Sequence, residues 1–531
     1  RRTVSGAGAP RLAILRRVVP PLAAILVLAG GVVLLLSANL PASGTRMDWL
    51  EDVVPLPFIE ASHLLSSLTG LLLIVIARGL YRRLATARLA AIALLLLGAG
   101  FSLAKGLDWE EALLLSAIAA GLTVAGPAFY RKGDWRFFRP DRTWIGLIVI
   151  VVAACTLIGL LAYRHVDYRA DLWWEFAWKG DAPRFLRATL ALSVLAAALA
   201  IDTLVNRPVM RPADPPIPVP PAVRRILAGS SDTQACVALL GDKRFLVAED
   251  GKAFLMYAER GSSWITMGDP VGEAQSAPVL IWRFAEAADR AGARAVFYAV
   301  QPAFLPFYLD MGLAILKIGE VARVPLADFT LTLPARKPLR YARGKAGREG
   351  IAFSVVPKAE VPAILPELRA VSDAWLTSKS GREKGFSLGR FDEAYIAEFD
   401  CAVMRRGERI LAFANLWRSG DGGELSIDLM RHLPEAPNIV MDALFAHLLL
   451  YGQAQGYRWF NLGAAPLAGL TDHPLASTWN RVGTFIYRRG DEFYNFEGLR
   501  AFKQKFDPVW TPQYLACRGG LTLPQALFDV T

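Results

Sequence analysis

Cysteine is scarce in this chain, and the few it has stand apart. Cys155, Cys236, Cys401 and Cys517 make no CxxC pair, and Cys155 falls inside an apolar run. This spacing argues against a disulfide framework or a thiolate zinc site, and it fits a reducing compartment for the soluble part. Histidine is no more abundant: His63, His165, His432, His447 and His473 are too dispersed to gather on a metal, so no metal and no cofactor is expected. No Ser-His-Asp arrangement is evident. The chain also lacks an opening methionine. It starts at Arg1 and reaches its first Met at Met47, so it is expected to be the tail of a longer protein.

What it has in plenty is apolar residues, 54% of the chain beside 20% charged, and they crowd into roughly the first two-fifths. Six apolar segments there are long enough to cross a bilayer core, which takes about 20 residues. They lie near Val18–Leu40, Phe58–Leu80, Leu84–Leu103, Ala112–Phe129, Thr143–Tyr163 and Arg184–Leu204. The loops between them alternate in charge. Arg11, Arg16 and Arg17 precede the first span, and Asp48, Glu51 and Asp52 follow it. Arg78, Arg82, Arg83 and Arg88 come next, then Asp108, Glu110 and Glu111, then Arg131, Lys132, Arg136, Arg139 and Arg142. A mixed loop and then Arg207 and Arg211 close the series. The positive-inside rule puts both ends in the cytoplasm, with Trp173, Trp174 and Trp178 as an outer aromatic belt. The spans carry almost no ionisable residues, and Glu60 and His63 sit near a span end as interfacial groups. This half reads as an anchor and lipid platform, not an ion pathway.

Pro208 to Pro221 is proline-rich and reads as a semi-extended tether. From Ala222 the pattern becomes short strands and amphipathic helices. Phe245–Val247 and Ala253–Tyr257 bracket Asp250-Gly251, a hairpin signal. A helix near Pro278–Ala291 leads to a buried strand, Ala295–Val300. Later, Leu411–Trp417 and Glu424–Leu429 pair as strands. A helix Asn438–Gln455 follows, with Asn438 as its cap, and then a strand Arg458–Leu462. Strand, strand, helix, strand is the order of an acetyltransferase-like (GNAT) core. About 310 residues suffice for two such units in tandem, divided near 335–350, although no sequence repeat is visible. The expected fold is thus a six-span helical bundle (1–207), a linker (208–221) and a soluble α/β domain of tandem GNAT-like units (222–531). The Gly-rich pyrophosphate loop of acyl-CoA enzymes has no convincing match here, so CoA is not the expected acyl donor.

Several segments together resemble one family. They are Asp242–Leu246 with Ala253–Tyr257, SWITMGDPVG from Ser263, KIGE from Lys317, KGFSLGRF from Lys384, SIDLMR from Ser426, NLGAAPL from Asn461 and EGLRAFKQKFDPVWTPQY from Glu497. In this order they resemble the bacterial multiple-peptide-resistance flippase/synthases, the aminoacyl-phosphatidylglycerol synthases or phosphatidylglycerol lysyltransferases. The likeness covers the soluble half and the spans before it. It implies transfer of an aminoacyl group, lysyl in preference to alanyl, from aminoacyl-tRNA to phosphatidylglycerol, and with it resistance to cationic antimicrobial peptides. It also implies a multi-pass protein of the bacterial inner membrane with a cytoplasmic catalytic domain, an upstream flippase domain and a homo-oligomer. A peptidoglycan-precursor aminoacyltransferase and a non-enzymatic lipid- or RNA-binding module are the competing readings. The net charge of +11 suits anionic lipid and nucleic acid alike.

An activated ester needs no covalent enzyme intermediate. It needs proton transfer, an oxyanion partner and alignment. Asp428 and Arg431, three apart and read as a strand end, are candidates to orient or accept a proton and to bind phosphate or carbonyl; the bland alternative is a local salt bridge. Glu497, Arg500, Lys503 and Lys505 share one predicted helix. They read as an anion-binding rim or as a solvated basic face, and the family motif singles out Lys503 as catalytic. Phe502, Phe506 and Trp510 read as core. Tyr395 is a cleft hydroxyl or a packing tyrosine. Asn461 and Gly463 end a strand, where Gly463 allows close approach to substrate or simply turns the chain. Asp269 and Pro270 read the same way. Lys337, Arg340, Arg343, Lys345 and Arg348 form a basic segment for tRNA or for lipid phosphate.

Overall fold

The computed structural model describes residues 9–39, 56–131, 142–162, 188–198 and 217–530, except 380–382, 384, 472, 474, 478, 482, 485–495 and 521–522. The chain divides into two compact units, Arg1–Pro212 and Ala213–Asp289 with Ala293–Thr531.

The N-terminal unit is helical. Leu, Ala, Val and Ile on every side leave no polar face to the helices Ala9–Asn39, Leu56–Tyr81 and Ala85–Gly106. Within them Val18–Ser37, Ala61–Tyr81 and Ala85–Ala104 are long and apolar enough to cross a membrane. The expected six are therefore three among the described residues. The fourth segment ends at Val124 after 16 residues, where Gly126-Pro127 breaks the ladder. The fifth and sixth appear as shorter apolar helices, Trp144–Ile158 and Ala188–Ala198. The first acidic loop, much of the basic loop after Arg131 and the Trp173–Trp178 belt lie outside the described residues, as does the side chain of Glu60.

The first two helices cross closely. A Cβ on Gly31 would lie 2.7 Å from the Gly70 carbonyl, and one on Gly70 would lie 2.7 Å from that of Gly31, so small residues set the approach. Charge is less scarce inside than expected: Arg78, Glu111 and Arg131 are buried, and Ser37 Oγ donates to Glu111 Oε2 at 2.9 Å. His63, expected at the interface, is buried too.

The C-terminal unit is built on one mixed sheet in the order β1-β2-β3-β5-β12-β6-β11-β10-β9-β8-β7, with β4 paired to β2. The strands are β1 Arg244–Val247, β2 Ala253–Arg260, β3 Ser263–Met267, β4 Val271–Gly272, β5 Arg294–Val300, β6 Ala314–Pro325, β7 Ile351–Val356, β8 Cys401–Arg406, β9 Arg409–Arg418, β10 Glu424–His432, β11 Trp459–Pro466 and β12 Val509–Cys517. The β1–β2 hairpin turns at Asp250-Gly251, where Gly251 takes φ +68°, as the Asp-Gly pair favours.

One motif occurs twice. In the first, β2 and β3 are antiparallel, the helix Ala277–Arg290 crosses over, and β5 returns parallel to β3. In the second, β9 and β10 are antiparallel, the helix Val440–Ala454 crosses over, and β11 returns parallel to β10. The closing strands are exchanged: β6 pairs with β11, and β12 inserts between β5 and β6. Strand β9 is buried from Ile410 to Trp417, as befits a central strand covered on both faces. The Val440–Ala454 helix packs Phe445 against Phe460, Phe502 and Phe506, so Phe502 and Phe506 are core as expected. Its N-cap is Ile439, with no side-chain cap, in place of Asn438.

Candidate functional site

The parallel pair β10–β11 separates part-way. Pairing runs Glu424↔Trp459, Leu425↔Phe460, Ser426↔Asn461 and stops there, although both strands continue. Asp428 stands two residues beyond the last pair on β10, and Gly463 two beyond on β11. Each strand also bulges against its outer neighbour at this level, β10 between Ile427 and Met430 and β11 between Asn461 and Ala464. Bulges of this kind re-aim side chains beside functional sites. Asp428, Asn461 and Gly463 are thus inside strands, not at their ends. Gly463 takes φ +78°, which suits glycine within the bulge.

Asp428 is held on several sides. Its Oδ1 accepts from the Gly389 amide at 2.9 Å, and its Oδ2 accepts from the Tyr395 hydroxyl at 2.8 Å. Trp417 Nε1 donates to the same tyrosine oxygen at 3.2 Å. Burial pushes the Asp428 carboxyl above its ordinary range, while Gly389, Tyr395, the Lys243 charge and Asn415 pull it back. Tyr395 is buried, and that burial together with Asp428 holds its hydroxyl well above its usual titration range. It packs as a core tyrosine and also bonds the carboxylate.

Asp428 and Arg431 do not pair. Arg431 is buried, donates to Ser372 Oγ at 3.1 Å and Glu383 Oε1 at 2.7 Å, and stacks on Trp375 at 4.7 Å. Glu383 also accepts from the Phe391 amide at 3.0 Å. The guanidinium is therefore occupied in tying down the segment before β8 and does not stand ready to bind phosphate.

Lys503 lies on the β11 side. Its helix, Phe496–Gln504, turns the side chain inward, and Nζ donates to the Ala464 carbonyl at 2.7 Å. Burial lowers its pKa to about 7, and among the described residues no carboxylate pairs with it. Arg500 reaches instead to Glu320 Oε2 at 3.3 Å and lies over Trp510 at 5.0 Å. Lys505 pairs with Asp442 at 3.2 Å. The three cations thus part company and make no common rim. The Glu497 side chain lies outside the described residues. Asn461 is buried, donates to Glu424 Oε1 at 3.1 Å and accepts from the Gly463 amide at 2.8 Å, so it fastens the bulge.

A second buried carboxylate group surrounds Glu424, which also accepts from Thr233 at 2.5 Å and pairs with Arg323 at 2.6 Å. Nearby Asp232 is pushed up to about 6 by burial and by Glu424. Asp269 is buried and accepts from the Gln301 amide at 2.8 Å and the Tyr308 hydroxyl at 2.9 Å. The basic segment forms a helix, Lys337–Arg348, that buries Leu339, Ala342 and Ala346. Lys337, Arg340, Arg343 and Arg348 are exposed, and Lys345 sits 3.7 Å from Glu349. None of these five bonds to a residue of the Asp428 or Lys503 groups.

Sequence reasoning missed Asp242, Lys243, Gly389, Asn415 and Trp417. Three of them, Asp242, Lys243 and Gly389, lie in segments already singled out by resemblance, DKRFL and KGFSLGRF, but only the fold brings those segments together. Phe386 N donates to Asp242 Oδ2 at 3.0 Å. Leu429 N donates to Asn415 Oδ1 at 2.8 Å, inside the bulge.

Residues 224–517 match the family model for the phosphatidylglycerol lysyltransferase C-terminal region. The chain is 32% identical over 538 residues to a phosphatidylglycerol lysyltransferase of Bacillus subtilis, covering 98% of this chain and 60% of that protein. It is 33% identical over 291 residues to that of Staphylococcus aureus, covering 55% of this chain and 34% of that one. The chain thus spans three-fifths or less of these relatives. Among solved structures, the C-terminal domain of a protein described as a lysylphosphatidylglycerol synthetase from Agrobacterium fabrum is 41% identical with TM-score 0.53, over 58% of this chain and 94% of that one. L-PGS from Bacillus licheniformis is 37% identical with TM-score 0.54, over 60% and 97%.

Proposed function

Because this chain belongs to the phosphatidylglycerol lysyltransferase family through its C-terminal unit, we propose that it transfers a lysyl group from lysyl-tRNA to phosphatidylglycerol at the cytoplasmic face of a bacterial membrane. The helix Trp109–Val124 and the two shorter apolar helices join the three long ones in the bilayer to make six crossings, and a flippase domain stands upstream. The C-terminal unit, from about residue 222, works as two acetyltransferase-like halves that divide near 335–350. The lysyl product makes the lipid cationic and lowers its attraction for cationic peptides.

The observation that carries the reading is Lys503, buried without an acidic partner among the described residues, beside the unpaired stretch of β11 and titrating at about 7. An amine tuned to near-neutral pH is suited to general-base work. Its neutral form takes the proton of the glycerol hydroxyl as that oxygen attacks the ester carbonyl carbon. A tetrahedral oxyanion forms and collapses, and the bond to the tRNA terminal ribose breaks. The leaving oxygen takes the proton back from Lys503. Asp428, across the β10–β11 separation, holds the α-ammonium of the aminoacyl group and aligns the carbonyl. Tyr395 and Gly389 fix the carboxylate, and Arg431 fixes the segment that carries Gly389. Lysine-labelled tRNA, vesicles containing phosphatidylglycerol and the purified chain test this directly. Label in a ninhydrin-positive lipid supports it. Transfer of alanine but not lysine redirects the specificity, and no lipid labelling overturns the reading.

A further inference from the structure

Lys243 is the most deeply buried cation of the C-terminal unit's described residues, with 0% exposure. A bare ammonium in such a place is strongly disfavoured unless a carboxylate meets it. Asp242 meets it, with Oδ1 2.5 Å from Nζ. The other Asp242 oxygen accepts from the Phe386 amide, and Lys243 Nζ lies 5.8 Å from the Phe386 ring centre. Three residues on, Gly389 donates its amide to Asp428. A strap, residues 385–389, therefore runs from the Asp242–Lys243 pair to the carboxylate of the candidate site. The strap is closely fitted: a Cβ on Gly389 would fall 1.8 Å from Asp428 Oδ2. Phe386 takes φ +71°, a conformation seldom adopted without glycine, so the strap is held by its contacts and not by its own preference.

We propose that Lys243 is a positioning residue of the transfer site: paired with Asp242 it anchors the strap that presents Gly389 to Asp428, and it brings a cation to that side of the carboxylate. The role assigned to Asp428 rests on the proposed transferase reading. The groups that face Asp428 are Tyr395 from the helix Glu393–Ile396, Asn415 from β9, Gly389 from the strap, Cys236 from the turn 233–240, and Lys243 with Asp242 before β1. Arg390 acts on Lys243 as a second, repelling cation. Among these groups, Lys243 is the cation that favours the ionised form of Asp428. Its removal raises the pH at which Asp428 loses its charge.

The test compares the full chain with the neutral pair Asp242→Asn/Lys243→Met, which keeps an acceptor for the Phe386 amide and strands no charge. Circular dichroism and thermal unfolding confirm that it is folded. Three results are expected. Hydrogen exchange of the peptide holding Phe386 and Gly389 stays slow in the double variant and quickens in Asp242→Ala. The acid limb of kcat that Asp428 contributes, distinct from the Lys503 limb near 7, moves up by about one pH unit, while KM for lysyl-tRNA stays within about twofold. Lys243→Arg returns the limb toward that of the unaltered chain. Infrared titration of the carboxyl band lost in Asp428→Asn reads the same shift without substrate, so it decides the proposal even if the chain transfers nothing to phosphatidylglycerol. An unmoved carboxyl titration in the folded double variant, or slow exchange in Asp242→Ala, overturns it.

Discussion

Asp269 and Asp428 hold equivalent places in the two halves of one sheet. Each lies two residues past the last pair of a parallel ladder, Met267↔Tyr298 for one and Ser426↔Asn461 for the other. Each accepts one backbone amide and one tyrosine hydroxyl. The difference is the source of the amide. Asp269 takes it from Gln301, directly after β5, and so closes its own ladder. Asp428 takes it from the distant Gly389 and leaves β10 and β11 unbridged at that level. The same local arrangement seals one half of the sheet and leaves the other available.

The pair therefore separates chemistry from packing. Asp428→Asn keeps an acceptor for Gly389 but loses the charge, and transfer is expected to fall by about 100-fold or more with little change in unfolding temperature. Asp269→Asn is expected to leave the transfer rate within about twofold. Initial rates of both variants on one vesicle preparation check this.

Asp269 also gives a stability signature. Burial, with a smaller push from Asp232, raises it from 3.8 to about 7 in the folded state. The folded protein then holds a proton that the unfolded chain has released, so this group's contribution falls as pH rises from about 4 to about 7 and is flat above. Denaturant unfolding against pH should show that slope in the unaltered protein and lose it in Asp269→Asn.

Lys503 sets the expected pH dependence of transfer. Burial lowers its ammonium to about 7, so the neutral amine gains population through that value and kcat rises with it. Lys503→Met is expected to lose about 100- to 10,000-fold in kcat and the limb near 7. It should stay folded, because it removes a buried charge that no carboxylate among the described residues pairs. A Lys503→Met variant with an unchanged pH profile would remove the base from the mechanism.

Gly389→Ala tests the strap by sterics alone. Its Cβ would meet Asp428 Oδ2 at 1.8 Å and Tyr395 Cε1 at 2.9 Å, and overpacking of this kind costs about 1–3 kcal/mol. Transfer should fall at least as far as in Asp428→Asn. Gly347→Ala is the control: nothing lies within 4 Å of that Cβ, and in a helix it should add up to about 1 kcal/mol. Urea unfolding of the two variants gives opposite signs if the geometry holds.

Much of the fold is legible in local signals. Asp250-Gly251 announces its hairpin, and the apolar runs around Leu411 and Leu444 announce β9 and the helix behind it. What misleads is chemistry that tertiary structure overrides. Asn438 is a good capping residue, yet the N-cap is the next residue, Ile439, and the helix starts at Val440. Gly463 reads as a strand end because glycine breaks strands, whereas β11 runs on to Pro466 through a bulge. Arg500 and Lys503 are three apart, yet one turns to Glu320 and the other into the core. The candidate site is legible in part: the motif singles out Asp428 and Lys503 as candidates, but Lys243 and Gly389 act on Asp428 from 185 and 39 positions away. No local pattern encodes such distances. The six apolar runs are legible by hydropathy, yet among the described residues three of them form helices long enough to cross a membrane, since hydropathy marks an apolar run but does not say where Gly126-Pro127 will end a helix.

The most direct measurement follows labelled lysine from lysyl-tRNA into phosphatidylglycerol in vesicles that hold the purified chain, with and without ribonuclease. The expected result is a labelled, ninhydrin-positive lipid that ribonuclease abolishes. Lipid labelling that persists after ribonuclease, or none with intact lysyl-tRNA, would contradict a tRNA-dependent lysyl transfer.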